Sequence, residues 1–174
     1  MHHARAALLS NHEGEERNME GCAFSGHRAI LPEHKEPLRD LLRRAIAYAY
    51  EKGCRTFFCG GALGFDTFAA KEVILFRVKH PDARLVLMIP CADQSDGWSA
   101  MDRAAYDYIL SEADEAVILS EHYAKGCMQR RNRALVDAAD ILICYVEREG
   151  SGSSQTMHLA ERKGIEVYNL YSHV

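Results

Sequence analysis

Short apolar runs alternate with longer segments of helical period along nearly the whole chain, and this alternation narrows the fold more than any other feature of the sequence. The runs near 20–25, 54–59, 84–90, 114–120, 139–146 and 165–170 are dense in β-branched and aromatic residues, as strands buried on both faces should be. Between them the spacing predicts five helices. Leu38, Leu41, Leu42, Ala45, Ile46 and Ala49 form an i, i+3, i+4 stripe, with Pro37 placed for the first turn and Gly53 for the stop. A second helix covers 66–80 and ends at Pro81, and Ser99 with Asp102 makes a capping box that opens a third. The fourth covers 127–138, and the fifth covers 154–163 with Gly164 as its terminator. Strict β-α alternation with short connections implies parallel strands joined by right-handed crossovers. The expected fold is therefore α/β, a single Rossmann-like doubly wound domain with a mainly parallel sheet of about six strands flanked by helices.

A chain of 174 residues that is 48% hydrophobic is long enough to close one core. Residues 1–18 are polar, His-rich and aperiodic, and read as a disordered extension ahead of a domain at 19–174. The formal charge of −4 argues against the broad positive field that nucleic-acid binding wants, so nucleic acid is not expected as a partner and any anion site must be local. Six cysteines occur without a C-x-x-C pair, several inside apolar runs, which predicts a reduced, cytoplasmic protein. No apolar run approaches the roughly 18–20 residues that span a bilayer, so no membrane partner is expected.

In a doubly wound sheet the ligand lies beyond the carboxyl ends of the strands, where strand order reverses. The loops at those ends are rich in glycine, hydroxyl and arginine. Ser25-Gly26-His27-Arg28 follows the first strand, and Gly60-Gly61-Ala62-Leu63-Gly64-Phe65-Asp66 follows the second. "PCADQSDGW" (90–98) follows the third and "EGSGSSQT" (149–156) the fifth. In the last of these, Ser151, Ser153, Ser154 and Thr156 surround Gly152 at a helix start, where unpaired N–H groups and added hydroxyl donors suit a phosphate; a Ser-rich N-cap with nothing bound is the plainer alternative. The glycine loop at 60–64 carries neither G-x-G-x-x-G nor G-x-x-x-x-G-K-[ST], and Asp66 suits either a cap on its own helix or hydrogen bonds from ribose hydroxyls. Arg28, Arg130, Arg131 and Arg133 are candidates for charge-assisted pairing with phosphate, and the short loop around Arg28 makes it the first choice. Trp98 either stacks on a base or closes the core edge, and Gln94 is a candidate reader of a base edge or ribose. Cys59, Cys91 and His27 all end strands, yet lack the close spacing of metal ligands, so no metal is expected.

The combination "FSGHR", "CGGALGFDTFAA", "IPCADQSDGW", "MQRRNRALVDAADILICY" and "GSGSSQTMHLAERKGIEVYNL" resembles the YpsA-like branch of the SLOG superfamily, which also contains the DNA-processing protein DprA/Smf and the LOG phosphoribohydrolases. The resemblance covers about residues 20–171. It implies a Rossmann-like domain that binds or senses a nucleotide or nucleotide-derived ligand, with no other cofactor, and that self-associates as a homo-oligomer. It places Gly60, Gly61, Gly64 and Asp66 in a first glycine motif, and Gly152, Ser153 and Thr156 in a second, phosphate-facing one. It further matches Asn132 and Arg133 to an "RN" pair, and Gln94 and Trp98 to a Gln and a Trp of the YpsA-like branch. Where LOG enzymes carry the glutamate of P-G-G-x-G-T-x-x-E, this chain has Thr156, which points away from turnover. A LOG-type hydrolase cleaving an N-glycosidic bond and a DprA-like single-stranded DNA module are the alternatives.

Overall fold

Residues 19–174 are described by a computed structural model. In chain order they form β1 (Gly21–Gly26), η1 (Pro32–His34), α1 (Lys35–Glu51), β2 (Thr56–Cys59), α2 (Phe65–Arg77), β3 (Arg84–Ile89), α3 (Ala100–Glu112), β4 (Glu115–Ile118), α4 (Cys127–Ala138), β5 (Ile141–Tyr145), α5 (Gly152–Arg162), β6 (Glu166–Asn169) and η2 (Leu170–His173). All neighbouring strands are parallel, in the order β4-β3-β2-β1-β5-β6. The expected Rossmann-like doubly wound sheet is what the chain forms. The extension expected at 1–18 lies outside the described residues.

The order follows from handedness. From β1 the chain steps outward through β2 and β3 to β4, then returns to lay β5 on the other side of β1. Right-handed crossovers running in opposite directions along a sheet put their helices on opposite faces. Two cores result, split by the two-residue period of the strands. Cys22 and Phe24 of β1 and Ile141, Ile143 and Tyr145 of β5 join Leu38, Leu42, Ile46, Phe65 and Val73 in one layer. Ala23, Leu142, Cys144 and Val146 pack with Leu135, Val136 and Ala160 of α4 and α5 in the other.

Several local expectations shift for physical reasons. The sequence suggests six strands buried on both faces, but the edge strands β4 and β6 are largely exposed or half-buried, because each has a neighbour on one side only. Helix α2 stops at Arg77 rather than at residue 80: the N–H groups of Val78, Lys79 and His80 donate to Leu75, Phe76 and Arg77, a tightened turn ahead of Pro81. Helix α5 starts two residues early, since Ser151 is the N-cap and its Oγ accepts the Ser154 N–H at 3.1 Å. Helix α3 opens as the capping pair suggests, with Ser99 Oγ accepting the Asp102 N–H at 3.1 Å. The six cysteines are free and buried. No described helix is long and apolar enough to cross a membrane.

Leu42, on the stripe of α1, is fully buried in the larger core. Leu42→Ala is expected to lower the unfolding free energy by about 2–5 kcal/mol. Urea denaturation checks this, with a lower midpoint and an unchanged slope as the expected result.

Candidate functional site

Among the described strands, β1 is the one from which the chain runs outward on one side and returns to the other, so the crevice of this sheet opens above the β1 and β5 carboxyl ends. A cleft of about 320 Å³ lies there. Its walls come from the β1 loop (Ser25 to Arg28), the start of α2 (Ala62, Asp66), one face of α4 (Met128, Arg131, Asn132, Leu135) and the β5–α5 loop (Arg148, Ser151 to Ser153).

Arg131, a candidate partner for phosphate in the sequence, is a buried charge in this wall. Cys127, Arg131 and Leu135 stand four apart on α4 and are all buried, so the apolar stripe of the helix carries a guanidinium inward. Its Nη1 donates to the Gly60 carbonyl at 2.6 Å and its Nε to Asn132 Oδ1 at 2.8 Å. These partners are neutral. Among the described residues no carboxylate lies within ion-pair distance of Arg131 (the ion pairs there involve other arginines, such as Arg43 with Glu72), and Asp66 faces it across Gly60. Gly60 is required by this arrangement, because a Cβ there would stand 2.7 Å from Asp66 Oδ2 and collide with Arg131 Nη1.

Asp66 is buried at the foot of the cleft and accepts the Ala62 N–H at 3.2 Å. Burial pushes its carboxyl above the ordinary range, while Arg131 and the Ala62 N–H pull it back. The glycine loop is also held from outside the cleft. Gly64, with φ of +76°, brings its α-carbon so near the His27 and Arg28 backbone that a Cβ would lie 2.6 Å from the His27 carbonyl oxygen.

His27 ties the two sides of the crevice together. Its Nε2 accepts the Glu147 N–H at 2.7 Å and a longer bond from the Arg148 N–H at 3.4 Å. Those donors fix the tautomer, so the proton sits on Nδ1 and points to Ser153 Oγ at 3.2 Å. Ser151 Oγ donates to the Arg148 carbonyl at 3.0 Å, so at the 3.2 Å contact between the two serines Ser153 is the donor. The relay His27, Ser153, Ser151, Arg148 closes back on the histidine. Burial and the nearby Arg148 both lower the His27 pKa from its usual 6.5.

The hydroxyls expected to face a phosphate are therefore turned inward. Ser151 and Ser153 serve the relay, Ser154 Oγ donates to the Ser151 carbonyl at 2.9 Å, and Thr156 Oγ1 donates to the Gly152 carbonyl at 2.9 Å. What α5 presents is backbone: the N–H groups of Gly152 and Ser153 precede the first helical hydrogen bonds. A Cβ on Gly152 would meet only Asn132 Nδ2, at 3.9 Å, so no protein group demands a glycine there and its missing side chain leaves the helix start open.

Of the residues singled out in the sequence, Ser25, Gly26, His27, Arg28, Asp66, Arg131, Asn132, Ser151, Gly152 and Ser153 line one cleft. Gly60, Gly61, Gly64 and Ser154 support its walls. Others lie elsewhere. Arg133 and Thr156 border a separate recess between α4 and α5, two residues round the helix from the inward stripe. Gln94 is buried and donates to the Gly61 carbonyl at 3.2 Å, tethering the glycine loop from behind. Trp98 packs edge-on against Tyr106, with ring centroids 5.3 Å apart, at the rim of the larger core. Cys59, Cys91 and His27 do not converge: Cys59 Sγ donates to the Asp66 carbonyl, and Cys91 packs with Cys127 and Asp93. Met128, Leu135 and Arg148 gave no signal in the sequence.

Gly60→Ala is expected to lower the melting temperature by several degrees and Gly152→Ala to leave the unfolding free energy within about 0.5 kcal/mol of wild type, as scanning calorimetry would show. The relay needs neutral His27. A pKa lowered in the folded state means its contribution is complete above about 6.5 and lost as pH falls through the lowered value. Hydrogen exchange at the Glu147 amide is thus expected to speed up below pH 6.5, beyond the intrinsic rate, and to lose that dependence in His27→Gln.

The comparisons with known proteins bear on the same span. UPF0398 proteins of Bacillus thuringiensis and Bacillus cereus are 27% identical over 140 residues, covering 79% of this chain and 76% of theirs. DNA processing protein A of Helicobacter pylori, described for its single-stranded DNA binding mode, superposes with a TM-score of 0.60 at 20% identity, over 85% of this chain and 63% of that one. DNA processing protein A of Streptococcus pneumoniae gives 0.61 at 19% identity, over 86% of this chain and half of that one. At such identities the likeness is one of fold, and this chain spans under two thirds of either neighbour. The expectation of no nucleic-acid partner, drawn from net charge, does not fit the first of them. The model of the YspA SLOG family matches residues 22–171, the span that builds both the sheet and the cleft, and the chain belongs to that family.

Proposed function

We propose that the chain binds a nucleotide or nucleotide-derived ligand, with a phosphate held at the start of α5 and a ribose toward Asp66. The observation that carries this reading is the buried Arg131, a guanidinium whose hydrogen bonds all go to neutral acceptors, beside a helix N-terminus at the switch point of the sheet. A buried cation with no ion-pair partner favours an anion close by. Arg28, Arg148 and the Asn132 amide add donors around the same volume, and the open side of Gly152 leaves room for phosphate oxygens. Asp66 lies deeper, where a carboxyl with a raised pKa repels a phosphate less and accepts from a hydroxyl. Binding rather than turnover is favoured, since Thr156 stands at the LOG glutamate position and its hydroxyl is bonded to the Gly152 carbonyl.

A thermal-shift series with ribose 5-phosphate, mononucleotides and dinucleotides tests the reading. A ligand at 100 times its Kd adds about 2.7 kcal/mol to stability. Gly152→Asp, which sets a carboxylate in the anion position, is expected to abolish the shift, and Arg28→Ala to weaken binding by about tenfold. No shift with any of these compounds removes the proposal.

The shared fold with DNA processing protein A supports a second occupant, a single DNA strand whose phosphates follow Arg28 and Arg148. Its signature is an affinity for oligothymidylate that falls linearly in log K against log salt. Tight oligonucleotide binding without a mononucleotide shift would favour that occupant.

A further inference from the structure

Beside His27 a second recess, of about 270 Å³, shares His27, Arg28 and Arg148 with the cleft. The recess has a different character. The cleft borders Leu135 of the smaller core, while the recess is floored by Tyr145 and Tyr171, which pack on the larger one with ring centroids 4.9 Å apart. Tyr145 is fixed by a 2.8 Å hydrogen bond between its phenol and His34 Nδ1, and the His34 ring packs edge-on against Tyr171 at 5.2 Å. Leu31, 41% exposed, stands at the rim with no role in the buried core. Aromatic and aliphatic walls of this kind suit a flat apolar ring.

The polar lining is also distinct. Glu147 is the one carboxylate among the described lining residues, and the Tyr171 phenol is pushed above its usual pKa by burial and by a hydrogen bond to it. A carboxylate there disfavours a second phosphate and favours N–H donors. The backbone N–H of the same residue is bonded to His27, so the Glu147 backbone is held beside the cleft.

We infer that the recess of Leu31, Tyr145, Glu147 and Tyr171 is a nucleobase site, selective for guanine, for a nucleotide that straddles the His27 bridge with its phosphate in the cleft. This rests on the phosphate reading above. Guanine is singled out because its Watson–Crick edge presents two adjacent donors, N1–H and the N2 amine, to the two oxygens of one carboxylate. Adenine and cytosine each place an acceptor beside their amine, which would face a carboxylate oxygen, and uracil flanks its single N–H with two carbonyls. Hypoxanthine keeps N1–H and lacks the amine, so it isolates the second hydrogen bond.

Isothermal titration calorimetry of the full chain with the 5′-monophosphates of guanosine, inosine, adenosine and cytidine, and with ribose 5-phosphate, tests the inference. Guanosine monophosphate is expected to bind at least about tenfold more tightly than the adenosine compound, with inosine monophosphate between them. Glu147→Gln is expected to erase that ranking, while Tyr171→Phe keeps the ring and retains it. Gly152→Asp is expected to remove binding of every compound. Equal affinity for all bases and for ribose 5-phosphate overturns the base site and leaves the phosphate reading standing. A preference for another base, or a guanine preference that survives Glu147→Gln, also overturns it. Absence of binding by any compound to the wild type overturns both.

Discussion

The reversal of strand order at β1 is the constraint from which the rest of the molecule follows. Because β2 and β5 flank β1 and the chain leaves them in opposite directions, the loops after β1 and β5 part around a crevice. A crevice in the middle of a parallel sheet is bordered by strand ends whose carbonyls and N–H groups need partners. Arg131 meets the Gly60 carbonyl from α4, and His27 meets the N–H groups of Glu147 and Arg148 from β1. Both residues therefore do structural work at the site that a ligand would enter.

The two devices leave the cleft with an asymmetric charge. Arg131 is buried with neutral partners, His27 is held neutral by its acceptor role, and Asp66 is pushed toward its protonated form by burial. The balance in the cleft is positive although the chain carries −4 overall. Net charge is a sum over the whole surface, whereas recognition depends on the few groups that face one volume, so the two need not agree in sign.

Much of the architecture was legible in the alternation of strand and helix periods. Ser99 and Asp102 marked their helix start, and the fourth helix runs over 127–138 as its period suggests. What was misread at the site concerned direction. Ser154 and Thr156 have the right chemistry for a phosphate in a linear reading, but at the third and fifth positions after the Ser151 cap their hydroxyls reach back to the carbonyls of Ser151 and Gly152. Arg133 carries the same charge as Arg131, and two residues along a helix place it on another face.

The sequence by itself determined the class of fold and the loops that gather at one edge, because strand and helix periods and glycine-rich strand ends are local properties. Only the tertiary structure decided which groups meet there. That Asp66 and Arg131 face each other across Gly60, that His27 closes a relay with Ser151 and Ser153, and that Glu147 stands beside Tyr171 all depend on how far β1, β5 and α4 are brought together by crossovers from distant parts of the chain. Residues more than a hundred positions apart meet at hydrogen-bond distance for that reason, and no local period encodes it.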